Sequence, residues 1–409
     1  MTLGGKTMTE IRERFLKYVS FDTQSSEASS ESPSTSKQLL LADYLKEECE
    51  KIGLSEVTRN EYGIVQATLK GNTPCDVVIG FIAHMDTSPE CSGKEIHPQI
   101  IENYDGTPIQ LNEKDVLSPK DYPDLLKKVG QELITTDGTT LLGADDKAGI
   151  AIILTAMEYL LEHPEIKHGE IRIAFTPDEE VGRGTEHFDV SSFHADYAYT
   201  VDGGDIYAIE YENFNAGGVE VIVHGISIHP GDAKGKMKNA SLIAMEFDHL
   251  LPSEGIPSKT EGYEGFHHLT HMEGAIEKAT LSYIIRDHDK KKFHQKKDDF
   301  FRVQDLLNQK YGAGTIEVHY EEQYQNMSEI LKKDPRALDR AVQAYKHLHL
   351  KQYFVPIRGG TDGARLSFLG LPTPNLGTGG ANYHGRFEYV SVTEMKTMVK
   401  VLVEIARMD

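Results

Sequence analysis

Five clusters of polar side chains have the residue types of a catalytic metal site. They contain histidine, aspartate and glutamate without cysteine, and they occupy residues 84–86 (HMD), 143–149 (GADDKAG), 176–182 (TPDEEVG), 202–204 (DGG) and 382–385 (NYHG). Imidazole together with carboxylates is the ligand set of hydrolytic zinc sites. Several carboxylates buried together are costly unless cations compensate them. The joint pattern therefore predicts a hydrolase that holds a two-cation cluster.

Each cluster also has an ordinary structural explanation when it is taken alone. The alternative for 84–86 is a hydrogen-bonded pair, and for 145–147 it is a solvated turn or helix cap. The alternative for 179–180 is an exposed acidic loop, and for 202–204 it is a glycine turn. Residues two apart in an extended chain point the same way, so the histidine and the aspartate of 84–86 can face one site. The functional interpretation depends on all the clusters meeting at one edge of a sheet.

The elements that must position these clusters alternate between strands and helices. Strands are predicted over 64–69, 76–83, 170–175 and 197–201, and helices over 11–19, 37–52, 149–161, 334–348 and 392–408. The continuous apolar run at 76–83 is typical of a strand buried on both faces. This alternation predicts an α/β fold with a mostly parallel central sheet, in which ligands bind at the carboxyl ends of the strands.

The hydrophobic pattern changes after residue 212. Residues 217–225 alternate between apolar and polar side chains, which fits a half-solvated antiparallel strand. Two similar runs at 281–286 and 315–320 enclose a predicted helix over 290–309. The chain is therefore predicted to form a discontinuous catalytic domain over 1–212 and 322–409, with an inserted α+β domain over 213–321.

The composition excludes several classes of protein. The 409 residues include 64 acidic and 43 basic side chains, a formal charge of −21 at pH 7, which disfavours nucleic acid and anionic membranes as partners. The three cysteines at unrelated spacings indicate reduced thiols and no disulfide framework. No apolar run reaches the ~20 residues of a membrane helix, and residues 1–6 lack the apolar core of a signal peptide. These features predict a cytoplasmic protein.

Several stretches carry a resemblance to a known family. They include GFIAHMDTSP (80–89), LITTDGTTLLGADDKAGI (133–150), AFTPDEEVGRG (174–184), YTVDGG (199–204), HPGDAKG (229–235), PIRGGTDGARLS (356–367) and NYHGRFE (382–388). These stretches resemble the M20-type metallopeptidases, a family that includes carboxypeptidase G2 and bacterial dipeptidases. The resemblance spans essentially the whole chain. It implies a zinc-exopeptidase-like catalytic domain in which the insert acts as a lid.

The resemblance implies a ligand set for two metal ions. His84 and Asp202 would hold one zinc ion, Glu180 and His384 would hold the other, and Asp145 would bridge both. The peptide bond after Asp145 is expected to be cis. The implied cofactor is two Zn²⁺ per subunit, with Co²⁺ or Mn²⁺ as alternatives because affinity order alone does not decide which metal is bound.

Two further residues receive catalytic roles from the same resemblance. Asp86 would orient the ring of His84, and Glu179 would be the general base. The implied reaction is removal of the N-terminal residue from tripeptides, with attack by a water that bridges the two metal ions. Glu179 would accept the proton of this water and pass it to the leaving amine.

Four residues are predicted to bind the substrate. By resemblance, His229 in the insert would stabilise the oxyanion, and Asn326, which lies in a family-like QNM stretch, would also bind the substrate. Arg286 and Arg358 would bind the substrate carboxylate, since a guanidinium matches a carboxylate bidentately. A turn histidine and surface salt bridges are the structural alternatives for these side chains.

Other functions are compatible with the same sequence. A dipeptidase, a carboxypeptidase or an N-acyl amino acid deacylase would use the same fold with another substrate. A metal-binding or scaffold protein that has lost catalysis is the alternative from a different class. The expected partners are small peptides, and the sequence leaves open both a monomer and a homodimer formed through the insert.

Overall fold

The computed structural model of this protein describes residues 6–408, and side chains from residue 10 onward. Residues 1–5, on which most of the signal-peptide prediction rests, lie outside this range. The chain divides into two compact units. The first takes in the residues up to Tyr211, Glu329–Val355 and the residues from Thr361 onward, and the second takes in Glu212–Ser328 and Pro356–Gly360.

The helices and strands have the following bounds. The helices are α1 (Lys6–Val19), α2 (Gln38–Ile52), α3 (Ala144–Glu162), α4 (Val190–Phe193), α5 (Ala240–Leu250), α6 (Lys290–Tyr311), α7 (Ser328–Leu331), α8 (Arg336–His347), α9 (Asp362–Phe368) and α10 (Val392–Ala406). The strands are β1 (Ser55–Arg59), β2 (Val65–Leu69), β3 (Ile79–His84), β4 (Gln99–Ile101), β5 (Ile109–Gln110), β6 (Val116–Leu117), β7 (Leu133–Thr135), β8 (Ile171–Thr176), β9 (Tyr197–Gly203), β10 (Ala208–Asn213), β11 (Asn215–His224), β12 (Phe266–Gly274), β13 (Lys278–Asp287), β14 (Ile316–Tyr324), β15 (Tyr353–Ile357), β16 (Asn375–Gly377), β17 (Gly380–Ala381) and β18 (Tyr389–Ser391).

The first unit is built on an eight-stranded sheet in the order β1-β2-β8-β3-β9-β16-β10-β15. The four central strands β8, β3, β9 and β16 are parallel, whereas β1 and β2 on one side and β10 on the other pair antiparallel. The predicted α/β class is confirmed, and the sheet is mixed. The antiparallel pairing of β1 with β2 follows from the short connection between them, which is too short for a parallel crossover.

The buried core of the first unit lies around the central strands. Every residue of β3 and of β8 is buried, as the continuous apolar runs predict. The helix α3 is buried along almost its whole length and packs against α1, α10 and β3. The helix α10 begins with a capping serine, Ser391, whose hydroxyl accepts the backbone N–H of Glu394. These contacts fix the strand ends that carry the polar clusters.

The second unit is a four-stranded antiparallel sheet in the order β12-β13-β11-β14, with α5 and α6 packed against it. Its main segment begins one residue before the predicted boundary at 213 and continues seven residues beyond the predicted end at 321. The later end has a physical reason, because β14 stays paired with β11 as far as Tyr324.

Among the described residues, none of the helices combines the length and the apolar character that a membrane span requires.

Candidate metal centre

His84 is the last residue of β3 and is almost fully buried. Its Nδ1 atom lies 3.1 Å from the carbonyl oxygen of Asp86, to which it donates a hydrogen bond. In the neutral ring the lone pair is then on Nε2. Nε2 lies 3.0 Å from Asp145 Oδ1 and 3.4 Å from Asp202 Oδ1. A lone pair that faces two carboxylates needs either a proton or a metal ion between them.

The turn that carries Asp145 is fixed by a buried carboxylate from far along the chain. Gly143 adopts a left-handed conformation with φ of 77°, and the peptide bond between Asp145 and Asp146 is cis. Glu388 accepts the backbone N–H groups of Leu142, Gly143 and Asp145 at 2.6, 2.9 and 3.1 Å. We infer that Glu388 positions Asp145 through the backbone of this turn.

A second buried carboxylate holds the turn after β8. Asp178 has a φ of 58° and accepts the backbone N–H of Ser34 at 2.6 Å and the side-chain amide of Gln38 at 2.7 Å. The Ser34 hydroxyl donates a third hydrogen bond to Asp178. The serine-rich loop before α2, which carries none of the predicted site residues, thereby anchors the turn that leads to Glu179 and Glu180.

Asp86 connects the two glutamates to His84. Its Oδ1 atom accepts the backbone N–H of Glu179 at 3.0 Å, and its Oδ2 atom accepts that of Glu180 at 3.2 Å. The same carboxylate lies 3.4 Å from His84 Nδ1, on the side of the ring away from Asp145. Fully buried Asp86 therefore orients a histidine and two glutamates at once.

His384 lies in the loop between β17 and β18 and faces a second set of carboxylates. Its Nε2 atom lies 2.9 Å from Glu180 Oε2 and 3.3 Å from Asp145 Oδ2. Its Nδ1 atom lies 3.2 Å from Glu90 Oε2, to which it donates. The two histidines have the same arrangement, with one nitrogen held by an oxygen and the other turned towards carboxylates.

The structure brings all five predicted metal ligands together. They form two groups whose ligand atoms lie within 4.8 Å of one another, namely His84, Asp145 and Asp202 in one and Asp145, Glu180 and His384 in the other. Asp145 belongs to both groups, with Oδ1 directed to His84 and Oδ2 to His384. Two adjacent sites that share one carboxylate are the arrangement of a dinuclear centre.

The electrostatics of the cluster fit bound cations. Burial raises the pKa of Glu180 and of Asp202 to about 7, with Asp145 contributing to both shifts. Glu180 Oε1 is buried and has no hydrogen-bond partner among the described residues. An orphaned oxygen on a carboxylate that lies beside His384 Nε2 is explained by a divalent cation, which prefers such nitrogen and oxygen donors. The residues present therefore fit divalent metal ions.

Metal binding to this cluster should release protons. Burial alone would lower the pKa of His84, but Asp202 and Asp145 outweigh it and raise the pKa well above its ordinary value. Hydrogen bonds that the His384 ring donates to the carboxylates of Asp145 and Glu180 raise the pKa of His384 to about 11. Without metal, both shifts favour the protonated rings, and a metal ion must displace these protons. We expect the apparent metal affinity to fall by about tenfold or more for each unit by which the pH is lowered from 8 to 6.

This pH dependence can be measured by titration calorimetry of the metal-free protein in buffers of different ionisation enthalpy. The heat of binding should vary with the buffer, with a slope of about one proton released for each metal ion bound. A heat that is independent of the buffer would show that the histidines are not protonated ligands.

Glu179 lies beside the cluster but belongs to neither ligand group of the described residues. Burial raises the pKa of its carboxyl well above the ordinary value, and His84 offsets only part of this shift. Buried Asp362, which accepts the hydroxyl of Thr176 at 3.0 Å, contributes to the same shift. The arrangement gives Glu179 a basic carboxyl next to the metal ligands.

His229 and Arg286, two of the predicted substrate-binding residues, lie in the second unit. His229 is exposed, and its Nδ1 atom accepts the backbone N–H of Gly231 at 3.2 Å. The proton of the neutral ring is therefore on Nε2, which makes that atom a donor. Arg286 donates from Nη1 to the carbonyl oxygen of Gly217 at 3.3 Å and lies over the ring of Tyr324.

Arg358 is engaged more fully than the sequence suggests. Its Nη1 atom donates to the carbonyl oxygens of Gly262 and Glu264 at 2.7 and 3.0 Å, and its Nη2 atom lies 3.3 Å from the hydroxyl of Thr260. Both terminal nitrogens of this guanidinium are thus used by one loop of its own unit. A substrate carboxylate would have to replace these contacts.

Asn326 is buried and its side chain is used within the fold. Its Oδ1 atom accepts the backbone N–H groups of Asn213 and Ser328, and its Nδ2 atom donates to the carbonyl oxygen of His288. These bonds occupy both acceptor positions of the amide oxygen. We infer a structural role for this side chain, in connecting the first and last segments of the second unit with the end of β13.

Comparison with known proteins gives the family. Residues 135–408 match the model of peptidase family M20/M25/M40. The chain is 52% identical over 404 residues to a protein named Peptidase T from Caldanaerobacter subterraneus subsp. tengcongensis, covering 98% of this chain and 99% of that one. It is 53% identical over 402 residues to Peptidase T from Bacillus velezensis, covering 98% of each chain.

Solved structures show the same fold. The crystal structure of aminopeptidase PepT from Bacillus cereus superposes with a TM-score of 0.77 at 22% identity, covering 98% of each chain. A dinuclear metal-binding peptidase of the M20 family from Bacillus subtilis gives a TM-score of 0.68 at 14% identity, covering 98% of this chain and 97% of that one. The family predicted from the sequence motifs is confirmed. The chain belongs to peptidase family M20/M25/M40 and is a metal-dependent hydrolase of peptide bonds.

Proposed function

We propose that this chain is an aminopeptidase that removes the N-terminal residue from tripeptides. The observation that carries the proposal is a pair of ligand groups joined by Asp145, with the basic carboxyl of Glu179 beside them. The likeness of more than 50% identity to proteins named Peptidase T, over nearly the whole chain, supports this activity among those of the family.

We propose two Zn²⁺ per chain as the cofactor. Imidazole nitrogens and carboxylate oxygens suit zinc, and Co²⁺ or Mn²⁺ are the competing metals for such donors. His84 and Asp202 would hold one ion, Glu180 and His384 the other, with Asp145 between them. When bound, such a pair polarises a peptide carbonyl and lowers the pKa of a water molecule towards neutrality.

Side chains of the protein then carry out the proton transfers. Glu179 accepts a proton from the attacking water and donates it to the leaving amine as the peptide bond breaks. The backbone N–H groups of Glu179 and Glu180 donate hydrogen bonds to Asp86, and these bonds fix the positions of both residues relative to His84. The Nε2–H of His229 is a suitable donor to the oxyanion of the tetrahedral intermediate.

We propose that Arg286 is the better candidate for binding the C-terminal carboxylate of the substrate. Of its terminal nitrogens only Nη1 makes a hydrogen bond within the described residues, whereas Arg358 uses both. A guanidinium can present two parallel N–H groups to a carboxylate, which fixes the distance from the C-terminus to the cleaved bond. A fixed distance of this kind explains a preference for tripeptides.

Amidation of the C-terminus should therefore weaken hydrolysis sharply. A tripeptide amide loses the charge that pairs with the arginine, and we expect its kcat/KM to be about 10- to 100-fold lower than that of the free tripeptide. The measurement is steady-state cleavage of matched free and amidated tripeptides. Equal turnover of both would show that no group of the enzyme recognises the terminal carboxylate.

A peptide ladder on a metal-analysed sample tests the proposed function as a whole. The series contains dipeptides, tripeptides and tetrapeptides, each with a free or an acetylated N-terminus. Removal of the first residue from free tripeptides supports the proposal. Cleavage of dipeptides, release of the C-terminal residue, or deacetylation would instead show a dipeptidase, a carboxypeptidase or a deacylase. A protein with two bound ions and no cleavage of any member would have lost catalysis.

A further inference from the structure

Glu90 contacts the ring of His384 on the side away from the other metal ligands. Its Oε2 atom lies 3.2 Å from His384 Nδ1. The opposite nitrogen of the same ring, Nε2, lies 2.9 Å from Glu180 Oε2 and 3.3 Å from Asp145 Oδ2. Because Nδ1 donates its proton to Glu90, the lone pair of the neutral ring is on Nε2. The Glu90 carboxylate therefore favours the tautomer of His384 that can bind a metal ion.

The backbone at His384 is fixed independently of Glu90. Asn382 and His384 both adopt left-handed conformations, with φ of 57° and 60°. Between them, the hydroxyl of Tyr383 donates a hydrogen bond to the carbonyl oxygen of Gly203 at 3.2 Å. With the backbone held in this way, the freedom that remains is rotation of the His384 side chain, which is 37% exposed. The contact with Glu90 limits that rotation.

The turn that carries Glu90 is held by the side chain of Gln24. The Nε2 atom of Gln24 lies 3.3 Å from the carbonyl oxygen of Ser88, 3.3 Å from that of Pro89 and 2.9 Å from that of Cys91. These three oxygens flank Glu90 on both sides, and the backbone N–H of Glu90 donates to Ser88 Oγ at 3.3 Å. One amide group thus fixes the turn from which the Glu90 side chain extends.

Gln24 is placed by backbone contacts of its own segment, residues 21–25 (FDTQS). The N–H of Thr87 donates to the carbonyl oxygen of Thr23 at 3.3 Å, and the N–H of Ser25 donates to that of Thr87 at 3.1 Å. These bonds form a parallel bridge between Gln24 and Thr87. A substitution of the Gln24 side chain leaves this backbone bridge in place, so it can remove the contacts to the turn alone.

The two histidines of the metal centre differ in the group that orients them. Nδ1 of His84 faces the carbonyl oxygen and the carboxylate of buried Asp86. Nδ1 of His384 faces the Glu90 side chain, which is 68% exposed. Water competes with an exposed carboxylate for the same N–H group, so this contact depends on how firmly the turn holds Glu90. A change at Glu90 should act on the ligand group of His384 and not on that of His84.

We propose that Glu90 is a positioning residue for the metal ion held by Glu180 and His384, and that Gln24 acts through Glu90 by fixing its turn. This inference rests on the proposed pair of metal ions. A carboxylate that orients a ligand histidine contributes about 10- to 100-fold to metal affinity. Because Glu90 is exposed, we expect the lower end of this range, about tenfold.

The test isolates each half of the centre and measures its Kd for zinc by competition with a chromophoric chelator. His84→Ala leaves the ligand group of His384 intact, and in this background Glu90→Ala should raise the Kd by about tenfold. His384→Ala leaves the ligand group of His84 intact, and there Glu90→Ala should change nothing. If His84→Ala retains no zinc, the wild-type background decides, because Glu90→Ala should then weaken one of the two binding steps and leave the other unchanged.

A double-mutant cycle tests the role of Gln24. Gln24→Ala should raise the same Kd by several-fold, and the combination with Glu90→Ala should bind zinc no more weakly than Glu90→Ala alone, since Gln24 acts through Glu90. Additive effects of the two substitutions would overturn this part of the inference. Glu102→Ala, which removes an exposed glutamate from the same part of the chain, is the matched control and should keep the wild-type Kd.

The outcomes separate this inference from the proposed function. A wild-type protein that binds a single zinc ion would overturn the proposed pair of ions. If the wild type binds two ions and Glu90→Ala leaves both Kd values unchanged, or raises both equally, the positioning role of Glu90 is overturned and the proposed function is not.

Discussion

Replacing Glu179 by glutamine should abolish peptide hydrolysis while leaving the metal content close to that of the wild type. Glutamine has the same shape but cannot accept a proton from the attacking water. We expect kcat to fall by about 10²- to 10⁴-fold, the usual contribution of a general base. Metal content should persist because Glu179 belongs to neither ligand group of the described residues. The measurements are kcat on a free tripeptide and metal ions per chain by atomic emission.

The control for this variant is Glu186→Gln, which changes an exposed glutamate a few residues along the same segment. Its contact with Arg183 is long, at 3.9 Å, so activity and metal content should both be unchanged. Loss of metal from Glu179→Gln would make Glu179 a ligand, which would falsify the assignment of Glu179 and Glu180 to different tasks. Retention of more than a tenth of the wild-type kcat would place the base elsewhere.

The central strands, and their burial on both faces, follow directly from the sequence. The runs that form β3 and β8 are apolar at nearly every position, and such runs predict strands covered on both faces. Parallel pairing of these strands sets His84 opposite Thr176, so the residues that follow each strand meet at one edge. The convergence of the clusters at 84–86 and 176–182 is thus a consequence of hydrophobic patterning.

The sharing of Asp145 between two ligand groups could not be predicted from the residues alone. His84 and His384 are separated by 300 positions, and no local pattern states which carboxylate each of them faces. The resemblance to a family suggested a grouping, and the structure places the same five residues in two groups. The geometry depends on a turn with a left-handed glycine and a cis peptide bond, which composition and periodicity do not reveal.

The supporting carboxylates were missed for a related reason. Glu388 and Asp178 look like ordinary acidic residues in the sequence, since most acidic side chains are solvated. Their partners are backbone N–H groups or side-chain amides far away in the chain, such as the turn at 142–145 for Glu388. Only the folded structure distinguishes a carboxylate that fixes a catalytic turn from one that is exposed. The sequence predicts ligands better than the groups that orient them.

The two ligand groups can be separated by comparing His84→Ala with Asp145→Ala. His84 belongs to one group, so its loss should leave about one metal ion per chain bound to the remaining set of three ligands. Asp145 belongs to both groups, so its loss should leave no stoichiometric metal. Turnover should be lost in both variants, because a single ion cannot supply the paired arrangement on which the proposed chemistry depends. His97→Ala, at an exposed position, is the matched control and should bind metal as the wild type does.

Thermal stability gives an independent measurement of the same difference. A ligand that binds only the folded state at 100 times its Kd stabilises a protein by about 2.7 kcal/mol, so added zinc should raise the melting temperature of the wild type by several degrees. His84→Ala should keep part of this rise and Asp145→Ala none of it. If both variants kept about one metal ion per chain and the same zinc-induced stabilisation, the cations would not share Asp145. The dinuclear interpretation would then have to be replaced by two independent sites, because Asp145 is the carboxylate that both ligand groups of the described residues contain.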